Sequence, residues 1–183
     1  MNEPVRIVAD WLDGTTAGST SVAAILDVDN FPKDAADAFP ADPTHYDSTR
    51  HGFAARGEFP RDGSVTYPCV VVGFGGVQYS KEAELSTENA KLEEGEVTVT
   101  VTVAHRLQDS DEGVEDVGYL VRAVKGSLTR LHEPEQLAKR TRNGFSLILC
   151  SGMSMTGIRS EADDKLIGTQ LTITYTTHET TPE

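Results

Sequence analysis

One stretch of this chain, residues 96 to 106, constrains the fold more than any other because valine alternates with threonine along it. The stretch reads Glu-Val-Thr-Val-Thr-Val-Thr-Val-Ala-His-Arg, so side chains of one kind fall on the same side of an extended strand. Valine and threonine are both β-branched and favour the pleated conformation, which argues against a helix. The stretch therefore predicts a strand whose apolar face consists of Val97, Val99, Val101 and Val103.

A cover for this apolar face follows directly along the chain. From Val114 onward, apolar residues recur at the spacing of one helical face, at Val117, Leu120, Val121, Val124, Leu128 and Leu131. Acidic residues between 108 and 113 would complement the positive end of this helix, and Pro134 would end it near His132. We therefore predict that the helix packs on the valine face as the central unit of the fold.

The other predicted elements are shorter. Residues 3 to 13 predict a helix with an apolar stripe of Val5, Val8, Trp11 and Leu12. Residues 21 to 28 favour a strand, although the run is too short for its period to decide. The remaining strands are predicted at 69–74, 77–85, 145–155 and 166–177, with a turn or short helical excursion at 86–95 and a turn at Asn143-Gly144.

Two segments have no regular pattern. Residues 29 to 67 hold several prolines and predict a long irregular loop that serves contacts rather than the core. Its aromatic residues could dock on a neighbouring molecule or pin the loop to its own domain, and they are Phe31, Phe39, Tyr46, Phe53 and Phe59. The polar C-terminal tail, residues 178 to 183, is expected to be frayed.

The expected architecture is therefore an α+β fold in one domain, residues 1–183. It comprises a single, mostly antiparallel sheet packed against one long helix and a short N-terminal helix, with the irregular loop as an insertion. The formal net charge of −13 argues against binding to nucleic acids or acidic membranes. The first residues have no basic start followed by an apolar run, so neither a signal peptide nor a membrane span is predicted.

No motif nominates a catalytic, cofactor or metal site. The stretch Gly73-Phe74-Gly75-Gly76 follows a predicted strand. It lacks a glycine at the third position of the dinucleotide-binding fingerprint, and no helix is predicted to follow it. Residues 27 to 30 resemble the start of a calcium loop without its glycine and distal glutamate. Residues 152 to 157 lack the spacing of a nucleophile elbow. No metal-ligand spacing links the five histidines, His45, His51, His105, His132 and His178.

The cysteines and the basic cluster also favour structural interpretations. Cys69 and Cys150 lie in apolar strand-like runs and are expected to be buried thiols, with a disulfide between neighbouring strands as the alternative. The cluster of Lys139, Arg140 and Arg142 could meet an acidic neighbour or lie in a solvated loop. We therefore predict that the protein is not an enzyme and needs no cofactor.

The order of elements resembles that of the tail terminator proteins of long-tailed bacteriophages, a family typified by the lambda tail terminator. The resemblance lies in the order of the elements and in the residue pattern of the strands. The segment 28–67 is a departure from the compact members of that family. The resemblance covers a short N-terminal helix, a strand beginning Pro68-Cys69-Val70-Val71-Val72, the alternating strand 97–103, the helix 114–132, and final strands at 145–155 and 166–176.

This resemblance implies a virion structural protein of the neck, made in the host cytoplasm. The expected form is a homo-hexameric ring that caps the tail tube and joins it to the head-tail connector. Its expected partners are itself, the tail tube protein and the connector or stopper protein, with no membrane. Genome DNA would pass through the lumen without specific binding. The alternatives are a head-closure or tail-completion protein, a small oligomeric binding domain of cellular origin, and an enzyme with a dispersed site.

Overall fold

The computed structural model describes residues 3–28, 69–79, 85–87, 90–106, 112–159 and 166–182. The predicted irregular loop at 29–67 lies outside the described residues. In chain order, the described elements are α1 (Glu3–Leu12), α2 (Val22–Val28), β1 (Cys69–Tyr79), β2 (Leu85–Thr87), β3 (Ala90–Arg106), α3 (Glu112–Leu131), a 3-10 helix (Pro134–Arg140), β4 (Thr141–Arg142), β5 (Phe145–Arg159) and β6 (Leu166–Pro182).

The strands form one antiparallel sheet in the order β1-β3-β6-β5-β4. β2 also pairs with β3, and lies in line with β1 along the same side of that strand. β3 and β6 are seventeen residues long each and pair along their whole length, from Ala90–Pro182 to Arg106–Leu166. The antiparallel sheet with its helices is the predicted α+β fold, and the alternating stretch lies in its centre.

The valine face of β3 forms the sheet side of the hydrophobic core. Its four valines are fully buried, and they share one core cluster with Val117, Leu120, Val124, Leu128 and Leu131 of α3. The predicted pairing of strand and helix is therefore confirmed. Burying one such valine stabilises the fold by about 1.5–3 kcal/mol relative to an exposed one, so this unit contributes a large share of the folding free energy.

Helix α1 packs into the same core with its predicted stripe. Val5, Val8, Trp11 and Leu12 are all buried. Trp11 Nε1 donates a hydrogen bond of 2.9 Å to the carbonyl of Ser127 in α3, which satisfies the one polar group of a buried indole. The Ser127 hydroxyl in turn donates to the carbonyl of Thr20 at 2.6 Å. These two bonds fix α1 and the following turn against α3.

The predicted strand at 21–28 is wrong, because Val22–Val28 forms helix α2. The amide of Ala24 donates to Ser21 Oγ at 3.1 Å, so Ser21 caps the helix. Val22 is fully buried, and Ile25 and Leu26 pack against the core from the next turn. This is the i, i+3, i+4 spacing of a helical face, which a run of seven residues was too short to reveal. The helical layer thus holds more than the long and the N-terminal helix.

The glycine-rich stretch after Phe74 is part of a strand rather than its end. β1 continues to Tyr79 with a bulge between Phe74 and Gly76. A Cβ at Gly75 would lie 2.8 Å from Cγ2 of Thr98, so glycine lets the two backbones approach closely. The predicted turn or helical excursion at 86–95 is likewise wrong, because β2 and the first residues of β3 pair as strands there.

The last two strands end later than predicted, and the tail is not frayed within β6. β5 extends to Arg159 and β6 to Pro182, which includes all but the last residue of the tail predicted at 178–183. The reason is tertiary: β3 begins at Ala90 and offers its backbone to the tail, so that Glu94 pairs with His178. A polar composition gave no sign of this partner.

The face of the sheet opposite the valines is also partly buried. Thr100 and Thr102 on β3 and Gln170 on β6 are buried, and Gln170 Nε2 donates to Thr102 Oγ1 at 3.1 Å. Thr98, Thr172 and Thr174 remain half-buried. The threonine face is therefore covered at one end and accessible towards the other.

Candidate interaction surface

One side of β5 is open among the described residues. β5 pairs with β6 along its length, whereas its other side pairs with β4 only at Phe145 and Ser146. All residues from Ser151 to Gly157 are exposed. An open side presents unpaired backbone N–H and C=O groups, which can pair with a strand of another chain. We call the part of β5 from residue 147 to 159 the β5 edge.

Apolar side chains lie along this edge. Leu149 is 61% exposed, Met155 52% and Met153 38%, and these are three of the five large exposed hydrophobic residues in the part of the chain that the structure describes. The methionines lie on the core side of the sheet, because Met153 pairs with Ile173 and Met155 with Leu171. Both β6 partners are fully buried, so apolar character continues from the core to the accessible edge.

The two methionines end apolar rows that cross the whole sheet. In one row the interior residues Val99 and Ile173 are fully buried, and in the other Val101 and Leu171 are. Each row starts on β1 and finishes on β5 with a methionine. The Met153 row is Phe74–Val99–Ile173–Met153, and the Met155 row is Val72–Val101–Leu171–Met155. The rows therefore stop at the β5 edge, where no strand among the described residues continues them.

The β5 edge also lacks the usual protection against strand pairing. No charged residue and no proline occurs between Arg142 and Arg159. Natural sheets commonly place lysine or proline on open strands, since either one opposes the addition of a further strand. In a chain with a net charge of −13, such an uncharged run is a surface where two acidic molecules can approach without repulsion. Sequence reasoning missed this surface, although the uncharged run was a visible signal.

The opposite border of the sheet has related properties. β1 pairs only with β3 among the described strands, and no charged residue occurs between Asp62 and Lys81. Phe74 and Val77 of β1 are only partly buried against the core. We call this side of residues 69–79 the β1 edge.

A polar cluster lies inside the molecule where α3 ends, at His132, Tyr175 and Arg140. His132 Nε2 lies 2.8 Å from the hydroxyl of the fully buried Tyr175, and the two rings meet edge-on with centroids 5.4 Å apart. Burial, with a smaller effect of the Arg140 charge, lowers the pKa of His132 to about 4. Burial also raises the pKa of Tyr175, so its hydroxyl keeps the proton that it can donate to the neutral imidazole.

Arg140 completes this cluster. It is buried, and its Nη1 donates to the carbonyl of Leu131 at 3.1 Å, which satisfies one of the unpaired carbonyls at the end of α3. A guanidinium at a helix C-terminus also complements the helix dipole. The three side chains therefore close the end of α3 over the sheet, and the hydrogen bonds that they make within the molecule suit a structural role.

The rest of the basic cluster binds within the chain. Arg142 Nη1 contacts Asp10 Oδ2 of α1 at 2.5 Å, and Lys139 Nζ donates to the carbonyl of Ala17 at 2.5 Å. The sequence left open whether this basic cluster meets an acidic neighbour. For Arg142 that neighbour is Asp10, which lies on α1 of the same molecule. The Arg142 contact joins β4 to α1, and the Lys139 contact joins the 3-10 helix to the turn after α1.

The remaining sequence candidates are not brought together. Gly73–Gly76 lie within β1, and no helix begins there. Among the described residues, no group of three or more His, Cys, Asp or Glu could hold a metal ion. His105 is buried near the end of β3, whereas His178 lies in β6, 3.6 Å from Glu94. His45, His51 and residues 29–30 lie outside the described part of the chain.

The two cysteines cannot form the disulfide that the sequence left as an alternative. Cys69 is in β1 and Cys150 in β5, with β3 and β6 between them. Three strand spacings of about 4.8 Å separate the strands by about 14 Å, which is twice the greatest Cα distance that a disulfide spans. Cys150 is a free thiol, and its burial raises its pKa, so it has little thiolate character.

No protein-family model matches this chain, and no curated protein matches it either. Among the helices that the structure describes, none combines the length and apolar character needed to cross a membrane. Function is therefore inferred from the element layout and from the open edges of the sheet.

Proposed function

We propose that this chain is a virion structural protein, the tail terminator, which forms a homo-hexameric ring on the last ring of tail-tube subunits. The ring stops tube growth and offers a docking face to the head-tail connector. The observation that carries the proposal is the β5 edge, where exposed methionines end apolar rows of the core on an uncharged strand with one open side among the described residues. Such a surface is suited to a permanent protein partner rather than to water.

The layout of the fold supports the same class. A central antiparallel sheet bears the long helix α3 on one face, with α1 beside it in the same core. The proposal takes α3 as the main cover of that face, which leaves the two sheet borders as the surfaces for neighbouring subunits. A scaffold of this kind needs no catalytic group, and its polar cluster at His132 closes a helix end.

The charge distribution supports a passage for DNA. The net charge of the chain is −13, and Glu94 and Glu96 lie on the threonine face of β3. A lumen lined by such a surface repels phosphate groups, so the genome slides through it without binding. Specific nucleic-acid partners are therefore not part of the proposal.

Deletion of the gene from its parent virus tests the proposal. We expect heads without attached tails and tubes of uncontrolled length in electron micrographs, and we expect added protein to bind tube ends. Complementation with M155E should fail, because a carboxylate would then lie on the apolar edge. L137E is the matched control: Leu137 is 42% exposed on the 3-10 helix and belongs to neither of the two sheet edges, so this variant should complement.

Other outcomes assign other functions. Tubes of uniform length that fail to join heads would place the protein among the head-closure or tail-completion proteins. Normal virions after the deletion would contradict every proposed role in the neck of the virion. The open edges would then favour the alternative of a small oligomeric binding domain.

A further inference from the structure

We infer that neighbouring subunits join by strand addition, in which the β5 edge of one copy pairs with the β1 edge of the next. The sheets of all subunits would then continue into one another around the ring. The inference takes the cyclic symmetry of the ring from the proposed function. To that function it adds which surfaces meet, in which direction the two strands run, and in which register they pair. Main-chain hydrogen bonds would supply affinity, and the side chains of adjacent rows would supply specificity.

The strand directions permit this contact. β1, β3, β6 and β5 are each antiparallel to the next, so β5 runs opposite to β1 within one subunit. Rotation about an axis parallel to the strands keeps the direction of each strand. A β1 strand brought beside β5 by such a rotation is therefore antiparallel to it, as in every other pair of this sheet. One heterologous contact of this type, repeated, closes a ring when the rotation between neighbours divides a full turn, as six-fold symmetry requires.

The apolar rows fix the register. The Met153 row begins at the partly buried Phe74 and ends at the exposed Met153, so a row that continues into the next copy places Met153 opposite Phe74 of that copy. The same register places Cys150, which is half-buried, opposite Val77, which is also partly buried. A single contact thus covers the incompletely buried ends of these rows on both borders.

Bulges in the two strands agree with this register. β1 has an extra residue between Phe74 and Gly76, and β5 has one between Cys150 and Gly152 and another between Leu147 and Leu149. The Phe74–Gly76 and Cys150–Gly152 bulges lie between the same two rows, because Phe74 and Met153 belong to one row while Val77 and Cys150 belong to the next. The Leu147–Leu149 bulge has no counterpart on β1, and the inferred ladder ends there. A bulge on one side alone interrupts a ladder, whereas two bulges in phase keep the same pairing on either side of them.

Length and charge are also matched. In this register residues 69 to 78 of β1 face residues 149 to 158, which is most of the β5 edge. Neither strand carries a charged residue over that span, so the contact brings together the two uncharged borders of an acidic molecule.

A two-fold contact between two β5 edges fits less well. A pair centred on Ser154 would place the two Cys150–Gly152 bulges at different heights and would interrupt the ladder twice. A pair centred on Ser151 would match these bulges, but it would leave residues 156 to 159 of the edge unpaired. Either pair would also leave Phe74 and Val77 on β1 uncovered. The observations therefore favour a second copy that presents β1.

Disulfide trapping tests the contact. In the inferred register, Gln78 lies opposite Leu149 of the neighbouring copy, and both side chains are exposed. Within one subunit the two positions are on strands three spacings apart, about 14 Å, so Q78C and L149C cannot bond inside a chain. The double variant is made with Cys69→Ser and Cys150→Ser, and is oxidised both as purified protein over a concentration series and in assembled particles.

We expect a ladder of cross-linked chains up to the ring on a non-reducing gel, which reductant collapses to one band. Q78C with T156C is the register control, since these positions would lie about seven residues apart, roughly 23 Å, and should not cross-link. S154C alone, in the same Cys69→Ser and Cys150→Ser background, should remain a single chain. Cross-linked dimers from S154C alone would overturn the inference in favour of a two-fold β5 contact centred on Ser154.

The two proposals fail separately. Particles that require the protein but give no ladder with the double variant would overturn the strand pairing and leave the tail terminator function intact. A ladder from purified protein, together with normal virions after gene deletion, would support the pairing and overturn the function.

Discussion

At the scale of single residues, His132 shows how burial changes chemistry. Burial withdraws its imidazole from water, and the positive charge of Arg140 adds a smaller effect, so the neutral form is favoured and the pKa of His132 falls to about 4. An exposed histidine in the unfolded chain titrates near 6.5. The unfolded chain therefore binds more protons than the folded one between these values, and folding stability depends on pH there.

The first prediction concerns this dependence. Stability should fall as the pH drops from about 6.5 to about 4, and the contribution of His132 should be constant outside this window. H132Q keeps an acceptor for Tyr175 but does not titrate, so it should lose less stability over the window, by about 1 to 2 kcal/mol after solvent screening of the half-buried ring. Urea unfolding at pH 7.5 and 4.5 measures the difference. Equal losses in both proteins would show that His132 does not titrate in this way.

A second prediction at this scale compares the two faces of β3. V101A should cost about 1 to 3 kcal/mol, because it leaves a cavity in the core. T102A should cost about 0.5 to 1.5 kcal/mol through loss of the buried hydrogen bond from Gln170. T98A, at a half-buried position, should cost the least. Denaturant unfolding of the three variants gives this order, and an equal cost for T98A and V101A would contradict the assignment of the faces.

At the scale of elements, the hairpin of β4 and β5 is set by its turn. Asn143 and Gly144 both have positive φ, of 49° and 79°, which is the type I′ turn that suits the twist of two adjacent strands. The Asn-Gly pair identified this turn in the sequence. The structure adds that the amide of Thr180 donates to the Gly144 carbonyl at 2.9 Å, so the turn also holds the end of β6.

The third prediction follows from this turn. G144A should destabilise the protein by about 1 to 3 kcal/mol, because a Cβ there would lie 2.8 Å from the Thr180 carbonyl oxygen and the backbone has positive φ. N143G is the control, since glycine adopts positive φ without strain, and its effect should be small. Thermal unfolding monitored by circular dichroism compares the variants. A G144A protein as stable as N143G would mean that the turn can change type without cost.

At the scale of the whole molecule, stability arises from one apolar layer between the sheet and its helices. The described residues offer no cluster for a metal ion, and Cys150 is a free thiol. A core built on fully buried valines, leucines and Trp11 gives a sufficient physical account of the fold.

The fourth prediction is that neither metal nor disulfide supports the fold. Thermal unfolding with and without chelator, and with and without reductant, should give coincident curves. A decrease of several degrees with chelator would reveal a metal site, and a decrease with reductant would reveal a disulfide. If reductant lowers the melting temperature through a disulfide of Cys150, a C150S variant should no longer respond to reductant.

The sequence by itself determined the elements whose pattern is local. Alternation over eleven residues identified β3, helical spacing over five turns identified α3, and an Asn-Gly pair identified the hairpin turn. These succeeded because side-chain period and turn chemistry follow from backbone geometry alone.

Tertiary structure decided what depends on distant partners. α2 is helical because Ser21 caps it and Val22 has a core to enter, and residues 178–182 form a strand because β3 extends beside them. The candidate surface belongs to the same class. Met153 and Met155 read as ordinary strand residues, and their exposure follows only from the place of β5 at the border of the sheet. Composition records the absence of charge there, but strand order decides that this uncharged strand has a free side.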